Sequence, residues 1–266
     1  MPLRPRSSVE LLDDGVRFVR RDLGPVAVAA ALTSVPGSIA LSFLTRDGLS
    51  AFDSLTDTGD AEATGDGIDQ FSVLVLQSLS GSLSLLVVAA VVSHAVARRT
   101  EGAEVTGSWG GLLRRAPALI AAWVLVHLVQ LVGLLSLGVI TVIALVWFVP
   151  VTPIVVMEGL GPIAALRRAR ALVQRRWWPV AGHVLLVALL TTVLSAAVVT
   201  MPDELARATL GESAWLVTAA ANVLAGIVTT SIVAGATVAL YLDLRVRREA
   251  LDLTTRLEAL TGDAAR

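Results

Sequence analysis

Apolar residues in this chain fall into long runs separated by short charged segments. A helix crossing the roughly 30 Å hydrocarbon core of a bilayer needs about 20 mainly apolar residues. Residues 25–44, 71–97, 179–200 and 214–242 meet that requirement. The run 117–156 is twice as long as one span and carries Gly133, Ser136 and Gly138 near its middle. It therefore predicts two further helices, 117–135 and 138–156, joined by a tight turn. The fold expected is all-α: a single integral membrane domain over 1–266, built as a polytopic bundle of six transmembrane helices.

Two shorter segments have a different pattern. Ser7 and Glu10 form the sequence signature of a capping box, in which side chain and main chain at a helix start satisfy each other. The helix predicted over 8–22 places Val9, Leu11, Leu12, Val16, Phe18 and Val19 on one half of its wheel. Glu10, Asp13, Asp14, Arg17, Arg20 and Arg21 fall on the other half. A second amphipathic helix is predicted over 162–177, with Pro162 at its first position and Ile163, Leu166, Ala169, Leu172, Val173 and Trp177 along one face. Arg167, Arg168 and Arg175 oppose that face, with Arg170 and Arg176 at its borders. Both helices suit the membrane interface, their apolar faces against acyl chains or the bundle. Long arginine side chains reach headgroups from there, and Trp177 and Trp178 stand where interfacial aromatics concentrate. Anchoring is the simpler role for this segment, and binding an anionic lipid headgroup is the sharper one.

The two helices occupy equivalent places. Val19-Arg20-Arg21-Asp22-Leu23-Gly24-Pro25-Val26-Ala27 matches Gln174-Arg175-Arg176-Trp177-Trp178-Pro179-Val180-Ala181 with one gap. This pairing suggests that spans one and two are a parallel repeat of spans five and six.

Composition agrees with the membrane reading. Hydrophobic residues make up 55% of the 266 and charged residues 16%, against about 45–50% and about 25% in ordinary soluble domains. The absence of cysteine excludes disulfides, thiolate zinc sites and cysteine nucleophiles. All 21 basic residues are arginine, which with the Ala, Val and Leu richness points to a GC-rich bacterial genome. The net charge of −1 argues against a nucleic-acid partner and conceals a strong asymmetry. Nineteen arginines, all but Arg46 and Arg207, fall on the side that carries both termini. Segments on that side sum to +7 and those on the other to −8. The positive-inside rule then puts both termini, and a tail over 243–266, in the cytoplasm of a bacterium, with the spans in its plasma membrane. The charged first 23 residues do not resemble a cleaved signal peptide. The acidic loop 46–70 reads as mobile; its Asp57, Asp60, Glu62 and Asp66 lack the ordered pattern of a calcium loop.

Polar residues inside spans each need a role. Gln77, Ser80, Gly81 and Ser84 share one face of span two, and Ser231, Gly235 and Ala239 repeat along span six. Helix packing is the plain reading, and a lined cavity the functional one. His127 and Gln130 share a face and are expected to bond within the bundle to Asn222 or Gln77. His94 and His183 lie about 6 Å from the inner boundary and His127 about 15 Å deep, which disfavours a shared metal site. No cofactor and no metal are expected. Nucleophile elbow, phosphate-cradling loop and metallopeptidase motifs are missing, and Gly107 to Gly111 lacks the lysine of a P-loop.

Near the fourth span the chain reads Val149-Pro150-Val151-Thr152-Pro153-Ile154-Val155-Val156-Met157-Glu158-Gly159-Leu160-Gly161-Pro162, and after the sixth Tyr241-Leu242-Asp243-Leu244-Arg245-Val246-Arg247-Arg248-Glu249. With the Glu10 to Arg21 helix, this resembles the membrane-domain family related to the N-terminal region of membrane-bound glycerophosphoryl diester phosphodiesterases. The resemblance covers nearly the whole chain and departs from the family at Ala169, commonly serine, and Ala250, commonly glycine. It implies a stand-alone six-helix protein without the phosphodiesterase barrel, so no catalytic residue is carried over. Glu158, Arg167, Arg168, Asp243, Arg245 and Arg247 are expected to form a cytoplasmic ion-pair network fastening the second interfacial helix to the end of span six. The function expected is non-enzymatic: binding or organising lipid or envelope components, with a membrane-protein partner or a second copy as further partners. A small-solute or lipid transporter or channel is the alternative, and an intramembrane lipid enzyme the third class.

Overall fold

The computed structural model describes residues 7–44, 66–100, 109–134, 136, 138–210 and 213–249. Among them every regular element is helical. The helices are α1 (Ser8–Arg21), α2 (Leu23–Leu44), α3 (Asp66–Thr100), α4 (Trp109–Leu134), α5 (Val139–Phe148), α6 (Pro162–Val173), α7 (Trp177–Leu210) and α8 (Ala214–Glu249). A short turn, Val151–Pro153, runs after α5 into a π-helical stretch, Ile154–Glu158. Five helices are long and apolar enough to cross a membrane, or six if the bent pair α1 and α2 counts as one span. By length and composition this is a multi-pass membrane protein.

Several boundaries differ from the sequence reading. α3 starts at Asp66 rather than Phe71, so residues 66–70 are helical; the rest of the acidic segment lies outside the described residues. α4 starts at Trp109, with Pro117 inside the helix rather than at its start. α8 continues to Glu249, beyond the expected end at Leu242, and the tail from 250 lies outside the described residues. The second amphipathic helix ends at Val173 and passes through a 3-10 turn, Gln174–Arg176, directly into α7. Its junction residues keep right-handed helical dihedrals, giving 49 helical residues from Pro162 to Leu210. At 1.5 Å per residue that is about 73 Å, more than twice a hydrocarbon core. The run is therefore longer than one span needs, and its first part carries the arginines.

The chain divides into two compact units. The first comprises 1–23, 89–188 and 232–266. Its core is the C-terminal half of α8, where Ala234, Val238, Ala239 and Tyr241 are fully buried. The capping box of α1 is formed: Ser7 N donates to Glu10 at 2.8 Å and Glu10 N to Ser7 at 3.3 Å. The helix ends at Asp22, whose backbone leaves the helical region (φ −121°, ψ 36°). Its buried side carries Leu11, Phe18 and Val19 as the wheel predicts, but also Asp14 and Gly15, while Val9 is exposed. This rotation of the buried stripe has a steric cause. A Cβ at Gly15 would stand 2.6 Å from both Ala236 N and Gly235 C, so two main chains touch where neither residue has a side chain in the way.

α4 and α5 form the hairpin expected at Gly133, Ser136 and Gly138. Ser136 N donates to the Gly133 carbonyl at 3.0 Å, as does its hydroxyl at 2.6 Å. Gly138 turns the chain with φ 78°, a conformation that costs other residues. Thr141 then donates to the Gln130 carbonyl at 2.9 Å, drawing α5 onto α4.

The second unit comprises 24–88 and 189–231. Its polar contacts are hydroxyl contacts between helices. Thr33 Oγ1 lies 2.7 Å and Ser34 Oγ 3.2 Å from Ser84 Oγ, while Ser80 fills the space that a side chain on Gly37 would need. Near the α7–α8 connection, Asp203 pairs with Arg207 at 3.0 Å and accepts a hydrogen bond from Thr218.

Candidate functional site: a half-buried ionic cluster beside an arginine face

The densest chemistry of the first unit gathers where the π-helical stretch ends. Pro150 and Pro153 cannot donate to a helix ladder, and the turn widens to π geometry over Ile154–Glu158 before Gly159 stops it at φ 67°. Such widened turns often hold functional groups. Here the widening delivers the Glu158 carboxylate to two neighbours. Arg168 Nε donates to its oxygens at 3.0 and 3.3 Å, and the Tyr241 hydroxyl donates to Oε1 at 2.9 Å. The Arg245 guanidinium lies 5.7 Å from the centre of the Tyr241 ring, within cation–π range. One turn further along α8, Arg247 pairs with Asp243 at 2.6 Å.

The cluster holds α6 by one side. Ala165, Ala169, Leu172 and Val173 are buried, whereas Arg167, Arg170 and Arg175 are exposed and Arg176 is partly so. Arg170 stacks over Trp147 of α5 at 4.6 Å. Trp177 and Trp178 meet edge to face at 4.8 Å, with the Trp178 side chain standing 79% exposed. An arginine row on a fixed backbone beside an exposed indole can bind phosphate or carboxylate oxygens at the level of lipid headgroups.

The expected ion-pair residues thus separate into two contacts. Glu158 and Arg168 pair with each other, Asp243 and Arg247 pair within α8, and Arg167 faces outward. Arg245 lies over the Tyr241 ring. Tyr241 is the residue to which sequence reasoning gave no role; as the sole tyrosine of the chain, it was the available signal.

The intramembrane polar residues are distributed differently. His127 and Gln130 belong to the first unit, Gln77 and Asn222 to the second. His127 Nδ1 lies 2.8 Å from the Trp123 carbonyl one turn back, and its ring stacks on Trp123 at 4.4 Å. A carbonyl only accepts, so Nδ1 carries the proton. The Gln130 carbonyl serves Thr141, Gln77 is exposed and Asn222 is partly buried. His94 is buried against Trp109 at 4.8 Å. His183 is buried beside the main chain of Ala236 and Ser8, with no hydrogen bond of normal geometry to either ring nitrogen. Among the described residues no group of three His, Asp or Glu side chains is placed to hold a metal ion.

No protein-family model, curated protein or solved structure matches the chain.

Proposed function

We propose that this chain is a multi-pass protein of the bacterial plasma membrane that binds anionic lipid headgroups on its cytoplasmic side and thereby organises lipid or envelope components. The membrane-domain family named above, which its quoted residues resemble, is the family this reading places it in. The observation that carries this reading is the two-sided α6–α7 segment. One side is fastened through Arg168 and Glu158, and the other presents Arg167, Arg170, Arg175 and Trp178. An arginine face held in place loses less entropy on meeting a phosphate than a flexible one. The orientation rests on the arginine asymmetry, since the first unit contains every arginine except Arg46 and Arg207.

The test is native mass spectrometry of delipidated protein titrated with phosphatidylglycerol or phosphatidylcholine. Adducts with the anionic lipid that outlast those with the zwitterionic one, and that are reduced in number in Arg167→Ser/Arg170→Ser/Arg175→Ser, are expected. Equal retention of both lipids would defeat the proposal, and reproducible solute flux through the protein in liposomes would put a transporter in its place. A reporter fused after Arg266 is expected to be active only in the cytoplasm.

A further inference from the structure

The two matched sequence segments differ at their junctions, α1 breaking at Asp22 and α6 running on into α7, yet each amphipathic helix meets an arginine from the end of a long helix. At the end of α1, Arg99 from the last turn of α3 donates to the Arg21 carbonyl at 3.2 Å and to the Asp22 carboxylate at 2.7 Å. At the end of α6, Arg248 from the last turn of α8 donates to the Ala171 carbonyl. In each half, an arginine at the close of the second long helix caps the carbonyls of the preceding amphipathic helix. The last carbonyls of a helix attract cations, and this alone would explain an Arg-Arg pair at each end. Arg99 already serves the end of α1, yet Arg20 and Arg21 are both exposed there. Among the described residues at this end, Asp13 and Asp14 face Arg17 at 2.6 and 3.8 Å, and Asp22 is held by Arg99. What remains at this end of α1 is a pair of exposed guanidinium groups.

The two pairs stand at matching places in the sequence. Arg21 precedes Pro25 by four residues and Arg176 precedes Pro179 by three. An exposed apolar side chain follows each, Leu23 at 59% and Trp178 at 79%. The oxygens of a phosphodiester accept paired donors from a planar guanidinium.

We infer that the end of α1, with Arg20 and Arg21, is a second headgroup site, so that the protein holds two phosphate-bearing lipids, one in each half of an internal repeat. The inference rests on the lipid-binding reading above, and its test separates the two. Delipidated protein is titrated with short-chain phosphatidylglycerol and adducts are counted by native mass spectrometry. Two are expected for the wild type, one for Arg20→Ser/Arg21→Ser, one for Arg175→Ser/Arg176→Ser and none for the fourfold variant. A wild type that binds no lipid overturns the functional reading itself. A single adduct that survives Arg20→Ser/Arg21→Ser overturns only the second site. If that variant fails to fold, Arg20→Lys/Arg21→Lys keeps the charges without the planar fork. It is expected to raise the dissociation constant of one adduct several-fold and leave the other unchanged; unchanged constants for both overturn the inference. Competition by inorganic phosphate separates the two sources of the recognised group. Equal displacement of both adducts supports two equivalent phosphate sites, retention of both supports recognition of whole lipids, and displacement of only one overturns their equivalence.

Discussion

The hydroxyl of Tyr241 donates to Oε1 of Glu158 at 2.9 Å, joining positions 83 residues apart in the chain. Tyr241 is fully buried, so the bond forms where water does not compete. Tyr241→Phe keeps the ring and removes one donor from a carboxylate, at a cost of about 1–3 kcal/mol. Glu158→Ala removes the partner of both Tyr241 and Arg168. The pair is partly exposed, at 29% for Arg168 and 16% for Glu158, which holds the loss below the about 3–5 kcal/mol of a fully buried pair. Apparent unfolding temperatures in detergent should therefore fall in the order wild type, Tyr241→Phe, Glu158→Ala; equal temperatures for all three would show that the cluster does not hold the fold.

Gly15→Ala tests the contact between α1 and α8. The added methyl meets main-chain atoms of Gly235 and Ala236 at 2.6 Å, and backbone cannot swing aside as a side chain can. α1 should leave its seat, exposing Val19, which the native contact buries. Because the chain has no cysteine, Val19→Cys provides a single thiol. Its labelling by a water-soluble maleimide should be slow in the parent and fast with Gly15→Ala. Gly24→Ala, where a Cβ meets nothing within 4 Å, should leave labelling slow.

The α4–α5 hairpin separates steric from hydrogen-bond effects. A Cβ on Gly133 would stand 2.7 Å from Thr141 N, so Gly133→Ala must part the helices. Thr141→Val removes only the bond to the Gln130 carbonyl, and such bonds in membrane proteins average about 0.6 kcal/mol. Thermal melts should show a much larger loss for Gly133→Ala than for Thr141→Val.

In the second unit, Ser84 contacts both Thr33 and Ser34. Ser84→Ala should cost about 1 kcal/mol, and Ser84→Leu more, because the larger side chain has to enter a position where only 3% is exposed. Comparable melting temperatures for the two variants would place Ser84 outside the packed contact.

Hydropathy located the long helices and the Gly133–Gly138 turn because both are local properties. It says less about which face of a helix meets protein, since lipid and protein interior accept the same side chains. Leu185, Leu189 and Val193 of α7 are exposed while Val238 of α8 is fully buried, yet all four read as span residues. The buried stripe of α1 escaped the wheel for a related reason. Its seat depends on Gly235, 220 positions away from Gly15, and a glycine carries no hydrophobic signal. The arginines and Glu158 stood out as charges near a span, but the bond from Tyr241 required knowledge of how the end of α8 packs. The continuous passage from α6 into α7 was hidden because Pro179 suggests a helix start, whereas proline is tolerated in a first turn, where α7 places it.

The π-helical stretch at Ile154–Glu158 makes chain length part of the cluster. A π turn holds more residues than an α turn, so it changes the direction of everything after it. Relaxing the stretch to α geometry at its full length would turn Glu158 away from Tyr241 and Arg168, whereas deleting one residue between Ile154 and Met157 as it relaxes would bring the carboxylate nearly back to its place. The ionic cluster therefore ties the residue count of this stretch to the kind of turn it forms.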